Sequence, residues 1–283
     1  MKPNPGLSNE EFSAVPGHYA EFIVGMRVDV ETYASATVRI LAWARRGESR
    51  TVCAANVHMA MEAHDSAEFQ RTVNGADLVT SDGVPLVWTL RARGFAQATR
   101  VYGPDLMLAV CAAAAAQGVP VAFFGGTDEL LAALAAVLTR RFPALVIAVK
   151  IAPPFGEFSK EQNGNYASRL RASRAGIVFV GLGCPKQERW MAAMRGAVPA
   201  VFLGVGAAFA FHAGRVRQAP GWLQRAGLEW AFRLAVEPRR LWRRYFRHNP
   251  RFVWAAGRET WRTFRAGRRE RSREPRSRNA HSP

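Results

Sequence analysis

AGIVFVGLGCPKQERWM, residues 175–191, sets an unbroken apolar run, Ile177 to Val180, against a glycine-rich exit, then bunches Lys186, Gln187, Glu188 and Arg189 ahead of Trp190. A short β-branched run bounded by glycines reads as a strand buried on both faces. Pro185 suits the first turn of a helix, where its fixed φ fits and its missing N–H has no partner to lose. The stretch therefore reads strand, turn, helix. The same order recurs outward in both directions. RTVCAAN (50–56) leads into a helix from Val57, ADLVTSDG (76–83) into one from Val84, VPVAFFGG (119–126) into one from Asp128, and ALVIAVKIAPP (144–154) into one near Lys160. VPAVFLGVGAAF (198–209) supplies a further strand, while FIVGMRVDV (22–30) opens the domain as a strand or hairpin and ETYASATVRILAWARRGE (31–48) follows as a helix. Buried strands alternating with helices give an α/β class: a doubly wound, mostly parallel sheet with helices on both faces.

The chain has 283 residues, 49% hydrophobic and 22% charged, enough for a substantial core and incompatible with disorder throughout. Residues 1–20, with Pro3, Pro5, Gly6 and Pro16, read as a flexible leader, and 21–220 as the α/β domain. Residues 221–265 read as a helical appendage in which Trp230, Leu234, Leu241, Trp242, Tyr245 and Phe246 interleave with arginines. Residues 266–283 read as a disordered Arg-rich tail. From Arg239 onward, 15 Arg against 3 Glu leave +12 of the net +17, so the polyanionic partner meets the C-terminus. Cys53, Cys111 and Cys184 sit in apolar or glycine-rich surroundings, without the spacing of a zinc site or a disulfide framework. No signal peptide is read at the N-terminus, and no uncharged apolar stretch approaches the roughly 20 residues that span a bilayer. The expected location is cytoplasmic, peripheral on a membrane face.

Ligands of open α/β sheets bind beyond the carboxyl ends of the strands, so polar groups at the strand exits are the first candidates. Asn56, Asp82, the pair Gly125 and Gly126, and the segment Gly181–Glu188 occupy four such exits. Asp82 reads either as a turn or cap residue before Gly83 or as a general base. Arg100 precedes Gly103, Pro104 and Asp105 at a helix start and can pair with a carboxylate or reach a phosphate. Gly125 and Gly126 resemble a nucleotide turn but lack the spacing of a dinucleotide or P-loop motif. Gly183 and Pro185 open the helix around whose entrance Lys186, Gln187 and Glu188 are expected to project, with a neutral amide suited to a hydroxyl or phosphoester. GVGAAFAFHAGRVRQAPGW (204–222) reads as an apolar loop, and its His212 as a hydrogen-bonded core residue rather than a catalyst.

Taken in order, GMRVDVET, NVHMAMEA, ADLVTSDGVPLVW, RVYGPDLM, FFGG, VGLGCPKQE, GVGAAFAFHAG and RAGLEWAFRLAVEPRRLWRRY resemble the WecG/TagA/CpsF family of bacterial glycosyltransferases, from about Val24 to Tyr245. The resemblance implies inverting, metal-independent transfer of a hexose or N-acetylhexosamine-type sugar, such as glucose or N-acetylmannosamine, from a UDP-sugar. The implied acceptor is a polyprenyl-diphosphate-linked saccharide of cell-surface polysaccharide or exopolysaccharide synthesis. It makes Asp82 the general base, puts Gln187 against the reacting sugar, and places Arg100 and Asn56 in the pocket. Neither cofactor nor metal is called for, and appendage arginines, with Arg233, Arg240 and Arg243 as candidates, neutralise the departing diphosphate. Many relatives carry Thr two residues before the pocket asparagine, where this chain has Ala54.

The appendage also reads as an interfacial helix drawn to anionic lipid, each basic residue contributing roughly 1 kcal/mol near such a surface. Two rival readings remain at this level. Arginines interleaved with aromatics suit a nucleic-acid-binding protein, although no nucleic acid is the expected partner, and the same fold serves as a non-catalytic membrane-associated scaffold. Association into a homo-oligomer is left open.

Overall fold

A computed structural model describes residues 19–271, the side chains of residues 240 and 266–271 excepted. Most of the leader expected over 1–20, and the tail from residue 272, lie outside the described residues. Eight strands form one sheet: β1 (Ala20–Ile23), β2 (Met26–Asp29), β3 (Arg50–Ala55), β4 (Leu78–Ser81), β5 (Val121–Phe124), β6 (Ile147–Ile151), β7 (Ile177–Val180) and β8 (Val201–Gly204). Their order is β1-β2-β4-β3-β8-β7-β5-β6. Strands β1 and β2 pair antiparallel as a hairpin, and every other pairing is parallel. The hairpin turns through Val24 and Gly25, both at positive φ.

Period-two side-chain alternation explains why the runs are continuously apolar. On β5, β7 and β8, Val121, Phe123, Ile177, Phe179, Val201 and Leu203 face one core, while Ala122, Phe124, Val178, Val180 and Phe202 face the other. The first core is closed by α1 (Tyr33–Arg45), α5 (Gly103–Gln117), α6 (Asp128–Arg141) and α9 (Ala208–His212). The second is closed by α2 (Val57–Asp65), α3 (Ala67–Asn74), α4 (Val84–Ala92), α7 (Lys160–Ser173) and α8 (Lys186–Met194). Phe124 stacks on Trp190 with ring centroids 3.8 Å apart, which seats α8 on the sheet and fixes what its first turn presents.

One helix gains an end that the sequence left unmarked, and one local reading changes. Ser66 caps a separate α3 through its hydroxyl to the Phe69 N–H, so the helix from Val57 stops at Asp65. The apolar loop expected after Gly204 contains a helical turn, α9, and its last residue, His212, hydrogen-bonds the Pro104 carbonyl at 2.9 Å.

The appendage comprises α10 (Gly221–Arg225), α11 (Glu229–Val236) and α12 (Pro238–Arg271), so α12 continues helically past residue 265. Leu241, His248, Phe252 and Ala256 recur on one face of α12 and are buried, and α12 packs on α2. Burying Phe252 alone is worth about 1.5–3 kcal/mol, so α12 belongs to the folded body rather than trailing from it.

Candidate active site

The halves of the sheet meet where β3 lies beside β8, and two cavities open at the carboxyl ends of the strands around that junction. The first, about 460 Å³, runs under the exits of β3, β7 and β8. The second, about 320 Å³, is bounded by Trp88 of α4 and by Trp230, Tyr245 and Phe252 of the appendage. Asn56, Asp82, Glu229, Arg233 and Arg244 line both cavities. Strand exits and appendage therefore enclose one continuous site.

Asp82 follows the last residue of β4. It does not cap the helix after it: Gly83 is the N-cap of α4, without a side-chain bond. Instead its Oδ1 accepts the Gly103 N–H at 2.8 Å, from the first residue of α5. Burial, opposed by the Arg100 charge and reinforced by Glu229, pushes the Asp82 carboxyl up to about 6. A base in that range is mostly ionised at neutral pH and still basic enough to take a proton.

Arg100 lines the second cavity, with its guanidinium engaged inside the protein. Nε donates to the Asp82 carbonyl at 2.6 Å, Nη2 reaches Glu229 at 2.6 Å, and the group lies 4.1 Å over the Tyr102 ring. The Tyr102 hydroxyl donates to the other Glu229 oxygen at 2.9 Å. Glu229, in the first turn of α11, is thus the latch that holds the appendage to the rim beside Asp82.

The sequence places Lys186, Gln187 and Glu188 together around one helix entrance, and the structure separates them. Successive helical residues point about 100° apart, so when Gln187 and Glu188 turn inward Lys186 must turn away. Gln187 and Glu188 are 4% and 2% exposed. Lys186 donates to the Gly156 carbonyl and sits 3.8 Å over the Phe158 ring. Gln187 lines the first cavity, but both ends of its amide are engaged: Oε1 accepts the Gly206 N–H at 3.0 Å and Nε2 donates to Glu188 Oε1 at 2.9 Å. Burial pushes the Glu188 carboxyl up. A Cβ at Gly204 would stand 2.5 Å from Gln187 Nε2, so glycine there is what admits the amide.

Asn56 is the N-cap of α2, its Oδ1 accepting from His58 and Met59, and it lines both cavities. Gly103 and Gly183 line the first cavity. Gly125 and Gly126 do not border either cavity: a Cβ at Gly125 would meet the Gly181 carbonyl at 2.7 Å, so this pair serves the close approach of two strand exits. Pro185 is the N-cap of α8 after a cis Cys184–Pro185 bond and also stands outside the cavity walls.

Residues 22–266 match the profile of the Glycosyl transferase WecG/TagA/CpsF family. The chain belongs to this family. It is a glycosyltransferase, of a family that works in cell-surface polysaccharide synthesis and uses, in general, nucleotide-sugar donors and lipid-linked acceptors. The match reaches through α10 and α11 and over most of α12, so in this glycosyltransferase the appendage is family structure and not an extension peculiar to the chain.

Of the three arginines expected to meet the diphosphate, Arg233 lines both cavities, and its Nε is buried without a hydrogen-bond partner. Arg243 is exposed on the outer face, 5.4 Å over Trp242. One residue along the helix, Arg244 faces the cavities instead, so the expectation for Arg243 is corrected by helical phase. The Arg240 side chain lies outside the described residues. Sequence reasoning also passed over Glu229, Tyr102, His58 and His248. The i, i+4 spacing of His58 and Glu62 is visible in the sequence, whereas the approach of His248 depends on how α12 lies across α2. Burial, followed by the Arg244 charge, pushes the His58 imidazole down to about 3. Among the described residues no helix is long and apolar enough to cross a membrane.

Proposed function

We propose that the chain is an inverting glycosyltransferase moving a hexose or N-acetylhexosamine-type sugar from a UDP-sugar to a polyprenyl-diphosphate-linked saccharide. The donor occupies the larger cavity and the acceptor enters by the apolar one. The observation that carries this reading is the position of Asp82 at the junction of the two cavities, with Arg233 on the same walls. An acceptor hydroxyl arriving there loses its proton to the Asp82 carboxylate as its oxygen attacks the anomeric carbon. The bond from that carbon to the β-phosphate oxygen breaks, and the nucleoside diphosphate leaves from the opposite face with both electrons. Arg233, with a buried N–H lacking a partner, and Arg244 are placed to take up the developing charge. Gln187 acts by position: it holds the Gly206 backbone at the cavity floor.

The supply of a lipid-linked acceptor fits the outer face of α12, where Trp242, Phe246, Val253, Trp254, Trp261 and Phe264 are exposed among arginines. Stacking of Arg258 on Trp254 and of Arg265 on Trp261 keeps charge and ring together at one level, as an interface between water and anionic lipid requires. The test is nucleoside diphosphate release from a panel of nucleotide sugars, with and without a lipid-diphosphate-saccharide mimic. One UDP-sugar should give acceptor-dependent release, with Asp82→Asn lowering kcat about 10²–10⁴-fold. Acceptor-dependent release that survives Asp82→Asn would overturn the assignment of the base.

A further inference from the structure

On the wall of the second cavity, α2 and α12 bring together a set of side chains that the proton transfer leaves unused. His58 and Glu62 lie one turn apart on α2, and His248 reaches them from α12. Glu62 Oε1 stands 3.8 Å from His58 Nδ1 and 3.6 Å from His248 Nε2. Both separations are too long for hydrogen bonds. One donor atom from each of the three residues falls within 4.8 Å of the others. Donor atoms on a tetrahedral ion with bonds of 2.0–2.1 Å stand about 3.3 Å apart, so a few tenths of an ångström up to about 1.5 Å of closure would complete the set.

Burial points the same way. His58 Nδ1 is shut off from solvent without a hydrogen-bond partner, a buried nitrogen whose lone pair an ion would take up. His248 is 5% exposed; its Nε2 faces the Glu62 carboxylate, and its Nδ1 is buried without a hydrogen-bond partner. Of the neighbouring cations, Arg251 is held by Asp65 in a two-point contact at 2.8 and 2.5 Å and Arg247 lies 4.0 Å from the same carboxylate, while the Arg244 charge still acts on both rings.

We propose that His58, Glu62 and His248 form a site for one divalent transition cation of the Zn²⁺ class, which clamps α12 onto α2. Two imidazoles and a carboxylate, with a fourth position left to water, are a donor set that suits such an ion. The ion takes no part in the proton transfer at Asp82, although His58 and His248 line the same cavity as that carboxylate. It acts by seating the helix that carries Arg244 into the cavity walls.

The test uses the untagged full chain, freed of metal by chelation and titrated with Co²⁺ while its visible ligand-field absorption is followed. One equivalent per chain is expected, displaced by Zn²⁺ and raising the unfolding temperature. His248→Ala and the shape-conserving Glu62→Gln should each weaken binding by about tenfold or more, with the helical circular-dichroism signal unchanged. His64→Ala, on the exposed face of α2, should leave binding as it was. Absence of a ligand-field band, or a band that persists at unchanged affinity in both His248→Ala and Glu62→Gln, would overturn the site.

Discussion

Replacing Asp82 with Asn should make the protein more stable while removing the base proposed for the transfer. The Asp82 carboxyl is raised from 3.8 to about 6, mainly by burial, so its charged form is disfavoured in the folded state by about two pH units, or roughly 3 kcal/mol. Asn carries no charge, and its Oδ1 can still accept the Gly103 N–H that Asp82 holds at 2.8 Å. Because the folded value lies above the unfolded one, folding takes up a proton between them. The Asp82 contribution to stability is therefore fully present below about pH 4 and is lost as pH rises through 6. The Asp82→Asn protein should match the wild type near pH 4 and exceed it by roughly 2–3 kcal/mol at pH 8, or about 4–6 °C in unfolding temperature. Urea unfolding at both pH values measures the gap, with transfer activity assayed in parallel. A gap that does not widen with pH, or an Asn variant less stable than wild type at pH 8, would refute the reasoning that burial dominates at this carboxyl.

Further outcomes are expected elsewhere in the site. Glu229→Gln keeps a hydrogen-bond acceptor for Tyr102 but removes the negative charge that helps raise Asp82, so the acidic limb of the pH–rate profile should move to lower pH; a limb that stays in place or moves up contradicts this. Gln187→Ala leaves the Gly206 N–H with only its 3.3 Å bond to the Val180 carbonyl and takes the amide donor from the buried Glu188 Oε1, a loss of about 1–3 kcal/mol that should appear as a lowered unfolding temperature before any change in nucleotide affinity. Phe246→Ser combined with Trp254→Ser alters two exposed positions and should reduce co-sedimentation with anionic vesicles while leaving thermal unfolding unchanged; undiminished binding would move the lipid contact off this face of α12. Removing residues 239–283 is a poorer probe of membrane binding, since it also takes away Arg244, His248 and Phe252 from the cavity walls.

The sheet was legible because every buried strand ends at a glycine, proline or polar exit, and the length of each apolar run matches a strand and not a helix. RTVCAAN, ADLVTSDG and AGIVFVGLG became β3, β4 and β7 with the exits where the chain punctuates them. Helix phase was less legible. Lys186 and Gln187 are neighbours in sequence and point about 100° apart, and so do Arg243 and Arg244; composition marks the cluster without saying which member turns inward. Only the packing of Trp190 on Phe124 settles the first case, and the seating of Leu241 and Phe252 the second. Contacts between distant segments, such as Arg100 with Glu229 or His58 with His248, left no local trace because each residue alone is ordinary in its own helix or loop.

The Arg100–Glu229–Tyr102 contact carries a consequence for how the site assembles. An arginine held at a strand exit would be expected to wait for an anionic ligand, yet here a carboxylate of the appendage already occupies it, and the same carboxylate raises Asp82. Docking of α11 therefore does two things at once: it brings Arg233 to the cavity walls and sets two opposed charges on Asp82, Glu229 raising its carboxyl and Arg233 lowering it. An α/β body without its appendage would lose Arg233 and Arg244 from the cavity walls, together with the opposed charges of Glu229 and Arg233 on Asp82. On the mechanism proposed above, the strength of the base and the stabilisation of the leaving group both depend on one docking event, the seating of α11 and α12 against the strand exits.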